Sequence, residues 1–189
     1  MANSILVPLD GSELAHAAVP YAEAIARALG WSIVVLKVVS GDPARHPRPG
    51  SAPIEAPLED ETAPQPGYQL FQAEEAAAMD ELAPTVSRLR AVGLTAEPEV
   101  GVGDARDVIV QRAGEPDVAI VVMASHGRTG LARIFRGSVA AAVVDRSARP
   151  VLVVRPFRDE QARVDLEHAE RLPPEHVDAL RRAVDEVAP

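Results

Sequence analysis

Short runs of apolar residues recur along the 189-residue chain, and each is far shorter than the roughly 18 residues that cross a membrane. Runs of this length without polar alternation favour strands that are buried on both faces, as in a parallel sheet covered by helices. A further strand with weaker alternation is predicted at 95–102. The four continuous runs are SILVPL at 4–9, WSIVVLKVV at 31–39, DVAIVVM at 117–123 and PVLVV at 150–154.

Helical patterns separate these strands. Gly30 and Gly93 are placed to end two of the helices, Asp104 and Ser138 are placed to begin the other two, and Pro84 is expected to kink the second. We therefore predict an α/β fold: a doubly wound five-stranded parallel sheet of order 3-2-1-4-5 with helices on both faces, a three-layer α/β/α sandwich. The predicted helices cover residues 13–29, 68–92, 105–113 and 138–147.

Two segments fall outside this alternation. Residues 40–67 hold seven prolines and no hydrophobic period, which predicts a long insertion within a domain that spans 1–155. Residues 156–189 form polar helical segments broken at Pro173-Pro174 and are predicted to be a C-terminal helical extension. Nothing in either segment identifies what it contacts, so an unidentified protein partner remains open.

The charge excludes several classes of protein. A net charge of -9 argues against general binding to nucleic acid, because a negative field repels phosphates unless a local basic cluster overrides it. The chain has no cysteine, its five histidines show no metal-ligand spacing, and its start lacks the pattern of a secretory leader. We expect a cytoplasmic protein that associates with neither membranes nor nucleic acid.

The stretch MASHGRTGLARIFRGSVA, residues 123–140, begins where the fourth strand ends. In the predicted strand order, the carboxyl ends of strands one and four meet at the crevice where doubly wound sheets bind ligands. Gly127 and Gly137 permit main-chain N–H groups to approach an anion, and Ser138 begins a helix whose first N–H groups favour phosphate. Asp10, at the end of strand one, is placed to accept hydrogen bonds from ribose hydroxyls or to help hold a divalent ion on the phosphates.

Purely structural interpretations remain open for each of these residues. The glycines can serve only to turn the loop, Ser138 to cap a helix, and Asp10 to cap the first helix. Other nucleotide and catalytic motifs fit less well. The chain has no P-loop, since its one lysine, Lys37, lies within strand two; Gly101-Val102-Gly103 lacks a third glycine; and Ser125-His126 is not embedded in a hydrolase motif.

In combination, ILVPLDGS, LKVV, GVGDARDVIV, the 123–140 stretch and RPVLVVRP resemble the universal stress protein family over about residues 3–155. The ATP-binding members carry Gly-x-x-Gly, nine residues, and then Gly-Ser or Gly-Thr. Gly127 and Gly137-Ser138 keep that spacing here, whereas Ala124 replaces the first glycine. The resemblance implies ATP with Mg²⁺ as ligand. It implies adenine and ribose contacts at Pro8, Leu9, Asp10, Val38, Met123 and Ala124, and phosphate contacts in the His126 loop at Gly127, Gly137, Ser138, Val139 and Ala140.

The resemblance also implies a homodimer that pairs the last strand, Val151, Leu152, Val153 and Val154, across a two-fold axis. We expect a stress-response protein that binds adenine nucleotide as a regulatory or sensing module. Any ATP hydrolysis should be slow, because His126 is the only candidate base near neutral pH. Two alternatives stay open: a nucleotide-free dimer that acts through protein contacts, and a true nucleotide hydrolase or transferase.

Overall fold

The computed structural model describes residues 3–41, 66–124 and 139–154, together with residues 178, 179 and 182; for 66–71 it describes the backbone alone. Within these ranges, strands and helices alternate along the chain. The strands are β1 (Ser4–Pro8), β2 (Ser32–Val39), β3 (Ala96–Val102), β4 (Val118–Ala124) and β5 (Val151–Val154). The helices are α1 (Glu13–His16), α2 (Val19–Leu29), α3 (Pro66–Ala91), α4 (Ala105–Ala113) and α5 (Val139–Arg146).

The five strands form one parallel sheet in the order β3-β2-β1-β4-β5, which confirms the predicted fold. The central strand β1 pairs on one side with β2, where Pro8 lies opposite Leu36, and on the other with β4, where Leu6 lies opposite Val121. The chain therefore runs outward from β1 in one direction and then returns to build the other half of the sheet.

Alternate residues of the strands supply two separate cores. Ile5 and Val7 of β1 face the layer of α2 and α3, whereas Leu6 faces the layer of α4 and α5. Both cores are almost entirely aliphatic, and the strand residues in them are close to fully buried. Burial on both faces is the reason that the strands appear in the sequence as continuous apolar runs.

The first helix differs from the prediction. A single helix over 13–29 was expected, but the chain forms α1 and α2, separated by Ala17 and Ala18. Pro20 explains the break, because it has no N–H to donate to the carbonyl of His16 and its ring crowds that carbonyl. Gly30 ends α2 in the left-handed conformation at φ 70°, as predicted.

The remaining helices follow the sequence pattern more closely. Helix α3 begins at Pro66, two residues before its predicted start, and is one continuous helix through Pro84. Asp104 caps α4 as expected, since its side chain accepts a hydrogen bond from the Arg106 N–H. None of the helices in the described ranges is both long and apolar enough to cross a membrane.

An ion-pair cluster joins α4 to the sheet. Arg112 donates two parallel hydrogen bonds of 2.9 Å to the carboxylate of Asp117 and one of 2.8 Å to Glu99 Oε2. Ser4 Oγ also donates to Asp117, at 3.1 Å. Hydrogen bonding to Arg112 holds the pKa of Asp117 below its ordinary value, despite the opposing effect of partial burial. The cluster ties the start of β1 to the start of β4.

We expect Arg112→Met to lower the free energy of unfolding at pH 7 by about 1–2 kcal/mol, because it removes the hydrogen bonds to Asp117 and Glu99. The effect is no larger because both carboxylates are partly solvated. The folded-state pKa of Asp117 is depressed, so its pairing with Arg112 stabilises the fold fully at pH values above the unfolded-state pKa of about 3.9. This contribution is lost as the pH falls below that value and through the folded-state pKa. Urea unfolding of the wild type and of Arg112→Met between pH 7 and pH 3 measures this. The two curves of unfolding free energy against pH should converge as the pH falls.

Arg146→Met is the matched control, since the pair of Arg146 with Asp107 is largely exposed. Its effect on the free energy of unfolding should stay within about 0.5 kcal/mol at each pH. Parallel pH curves for the wild type and Arg112→Met would contradict the assigned role of the cluster.

Candidate functional site

The carboxyl ends of β1 and β4 lie side by side, and the helices that follow them along the chain pack on opposite faces of the sheet. Pro8 and Met123 each lie two residues beyond the Leu6–Val121 pair of the two strands. After β1 the chain enters α1 and α2, whereas α5, the helix that follows β4, packs on the other face. This edge is the position at which doubly wound sheets bind their ligands.

Asp10 is held in a tight turn between β1 and α1. Its Oδ1 accepts hydrogen bonds from the N–H of Ser12 at 2.9 Å and from the hydroxyl of Ser12 at 2.6 Å. Ser12 Oγ in turn accepts from the Ala15 N–H at 3.1 Å and caps α1. The first helix is therefore capped by Ser12 and not by Asp10, which overturns one structural interpretation of the carboxylate.

Apolar residues lie near the carboxyl ends of β2 and β4 and at the start of α5. Met123 and Ala140 are buried in the core cluster of the α4–α5 layer, and Val38 and Val139 pack against the same cluster. Val38 and Val139 are only half-buried, so both side chains retain some exposed apolar surface. A carboxylate after β1 and aliphatic residues near the ends of β2 and β4 suit a ligand with a flat apolar part and hydroxyl groups.

Eight of the twelve predicted site residues fall within the described ranges. Pro8, Leu9 and Asp10 lie at the end of β1, Val38 lies near the end of β2, and Met123, Ala124, Val139 and Ala140 flank the β4–α5 connection. The other four, His126, Gly127, Gly137 and Ser138, lie outside the described residues. The expected phosphate loop therefore stays a prediction.

Glu81 and Lys37, which the sequence did not mark as site residues, lie against the same turn. Gly11 adopts φ +86°, and a Cβ added there would overlap Glu81 Oε1 of α3. Glu81 forms an ion pair with Lys37 of β2, whose Nζ lies 3.4 Å from the same Cβ position. No local pattern indicates this contact, because it depends on how α3 packs over β2.

The connection after β3 adds another carboxylate to this edge. Asp104 is exposed and accepts two side-chain hydrogen bonds from Arg106, at 3.0 Å and 2.7 Å. These hydrogen bonds lower the pKa of Asp104 to about 2. Asp104 therefore stays ionised, and its negative charge is balanced by the guanidinium of Arg106. Its role in the structure is to cap α4.

The sequence model of the Universal stress protein family matches residues 1–155. The chain belongs to the universal stress protein family. This assignment confirms the resemblance seen in the sequence, and the observed strand order agrees with it. Within the family, the chain shares sequence with two proteins of Methanocaldococcus jannaschii.

Universal stress protein MJ0531 is 29% identical to this chain over 159 residues, which cover 84% of the chain and 85% of the relative. Universal stress protein MJ0577 is 40% identical over 67 residues, which cover 35% of the chain and only 41% of the relative. The stronger local identity is thus confined to a part of both proteins.

Solved structures agree at the level of the fold. The structure of MJ0577 matches with a TM-score of 0.58 and 26% identity, covering 84% of this chain and 99% of that one. A universal stress protein in complex with cAMP matches with a TM-score of 0.55 and 22% identity, covering 82% and 98%. The universal stress protein fold thus accounts for most of the chain.

Proposed function

We propose that this universal stress protein binds ATP in the crevice between β1 and β4 and acts in the cytoplasm as a regulatory or sensing module. The observation that supports it most is that Asp10 follows β1, while Val38 and Met123 lie near the carboxyl ends of the two flanking strands, at the edge where doubly wound sheets bind ligands. A solved member of the family carries cAMP, an adenine nucleotide.

In this proposal each part of the nucleotide has its own partner. The adenine ring packs against Val38 and Met123 beside Pro8 and Leu9, and the ribose hydroxyls donate hydrogen bonds to Asp10. The phosphates meet main-chain N–H groups at Gly127 and from Gly137 to Ala140, at the positive end of α5. Mg²⁺ enters with the nucleotide on its phosphates.

Ala124 is compatible with this binding mode, although ATP-binding relatives have glycine at its position. It is the last residue of β4 and lies opposite Val154 in the ladder, so its backbone is extended. Extended backbone has negative φ and accommodates a Cβ without strain. We therefore expect the alanine to leave the path of the loop unchanged.

Identification of the small molecule that copurifies with the protein tests this function, because no ligand has to be chosen in advance. The protein is purified without added nucleotide, denatured in acid, and the supernatant is resolved by anion-exchange chromatography and mass spectrometry. We expect an adenine nucleotide from the wild type and much less from Gly137→Val, whose side chain would crowd the phosphate loop. Release of a different ligand, in equal amounts from both proteins, would contradict the proposal.

We further propose that the protein forms a homodimer through β5, which lies at the edge of the described sheet. Val121 N donates to Pro150 O at 2.9 Å, and Val121 pairs with Val151. In a parallel ladder with this register, Leu152 and Val154 bond to β4, whereas the N–H groups of Val151 and Val153 point outward. A second copy could pair with these outward groups.

Val153→Pro removes one outward N–H and leaves the bonds between β4 and β5 in place. We expect the dissociation constant of the dimer to rise at least tenfold, measured by sedimentation velocity over a concentration series. A wild-type protein that stays monomeric at high concentration, or a variant that dimerises as the wild type does, would argue against pairing through β5.

A further inference from the structure

An ion pair between Lys37 and Glu81 lies against the turn that carries Asp10. Gly11, the residue after Asp10, has φ +86°, and the space beside its Cα is filled by Glu81 Oε1. Lys37 Nζ pairs with the other oxygen of Glu81 and lies within 3.4 Å of the same space. The β1–α1 turn, the end of β2 and the middle of α3 therefore meet at one glycine.

The packing of α3 does not depend on this pair. The buried face of the helix is formed by apolar residues spaced three or four apart, which lie in the core between α3 and the sheet. The side chain of Glu81 is 43% exposed, and exposed ion pairs stabilise a fold by about 1 kcal/mol or less. The buried apolar residues of α3 are Ala78, Leu82, Val86 and Leu89.

The pair is better placed to affect the turn than the fold. Asp10 accepts two hydrogen bonds from Ser12, and Gly11, which lies between the two residues, has a left-handed backbone. Just before the turn, Leu9 N donates to Leu36 O at 2.8 Å, so the turn is anchored next to Lys37 as well. Any shift of Glu81 or Lys37 changes the surface against which Gly11 rests.

We propose that Lys37 and Glu81 are positioning residues of the nucleotide site, which hold the Gly11 turn so that the Asp10 carboxylate faces the ribose. The proposal rests on the ATP binding proposed above. Neither residue contacts the nucleotide. Both raise the fraction of molecules whose Gly11 turn is in the conformation that binds, and the apparent affinity for the nucleotide is proportional to that fraction. Loss of the pair therefore weakens binding without removing the site.

A double-mutant cycle tests this role. We expect Glu81→Gln and Lys37→Met each to raise the dissociation constant of Mg-ATP about three- to tenfold, and the double variant to be no weaker than the weaker single variant. The matched control is Arg88→Met, which removes another ion pair of α3, that with Glu23. It should alter thermal stability as much as Glu81→Gln does, with unchanged ATP affinity.

The effect of Glu81→Gln on ATP affinity can also be measured in a protein that already carries Asp10→Ala. This measurement separates positioning of Asp10 from a general structural effect. If Glu81 acts through Asp10, Glu81→Gln should weaken ATP binding no further once the carboxylate is gone. An equal loss of affinity in both backgrounds would overturn the proposal, because Glu81 would then act on some other part of the site.

Lys37 also offers a direct probe, since it is the only lysine of the chain. Acetylation with acetic anhydride, followed peptide by peptide in a mass spectrometer, reports its reactivity separately from that of the amino terminus. We expect Mg-ATP to slow acetylation of Lys37 at least threefold in the wild type, and this protection to disappear in Glu81→Gln.

The outcomes distinguish the two proposals. If the wild type binds Mg-ATP and neither single variant alters the affinity, the positioning role is wrong and the proposed function stands. If the folded wild type does not bind Mg-ATP, the proposed function fails and the positioning role fails with it.

Discussion

Asp10→Ala should weaken Mg-ATP binding about 10- to 100-fold. The substitution removes a charged acceptor from the end of β1, and hydrogen bonds to charged groups contribute about 1.5–3 kcal/mol each. A difference of about 1.4 kcal/mol is a factor of ten in affinity, so the loss of one such bond gives this range. Isothermal titration calorimetry on nucleotide-free protein measures it.

Two further variants keep this result interpretable. Asp10→Asn retains an oxygen that can accept from Ser12 and loses only the charge, so its affinity should lie between those of the wild type and Asp10→Ala. Asp107→Ala removes a carboxylate that is also exposed to solvent but lies on α4, paired with Arg146, and should leave binding unchanged. Equal affinities for Asp10→Ala and the wild type would exclude Asp10 from the site.

The second large effect is expected at Gly101, where β3 and α4 pack in close contact. A Cβ at this position would overlap Cγ1 of Val108 and would lie 3.6 Å from Leu36 Cδ1. Val108 is buried, and a valine in a helix has essentially one rotamer, so it cannot turn away. Gly101→Ala should therefore lower the free energy of unfolding by about 1–3 kcal/mol through overpacking.

The steric origin of that loss can be tested by removing the obstructing methyl group. Val108→Ala alone leaves a cavity and should also destabilise the fold. Combined with Gly101→Ala, it restores space for the new Cβ, so the double variant should be more stable than the sum of the two single effects predicts. Strictly additive losses in urea unfolding would show that Val108 is not what Gly101 accommodates.

The sequence predicted the sheet well because each strand is buried on both faces. The continuous apolar runs at 4–9 and 117–123 became β1 and β4 within one residue at each end, and the predicted strand order is observed. The helix ends marked by Gly30 and Asp104 were also predictable, because the capping chemistry is local. Pro20 carried an equally local signal for the break between α1 and α2.

The features that could not be predicted depend on contacts between distant segments. Lys37 and Glu81 belong to elements separated by the proline-rich insertion, so the register of α3 over β2 is set by packing alone. Gly101 was considered as part of a weak dinucleotide motif, whereas the structure shows that it makes room for Val108. For the proposed site, the sequence pointed to the ends of β1 and β4 but gave no sign of the residues that support the turn between β1 and α1.

The most direct test of the account is a calorimetric titration of nucleotide-free wild-type protein with Mg-ATP, with its folding confirmed by circular dichroism. The account predicts saturable binding of one ATP per chain, competed by other adenine nucleotides and weakened in Asp10→Ala. A folded protein that gives no heat of binding at millimolar Mg-ATP would contradict the account, and action through protein contacts would then be the better explanation.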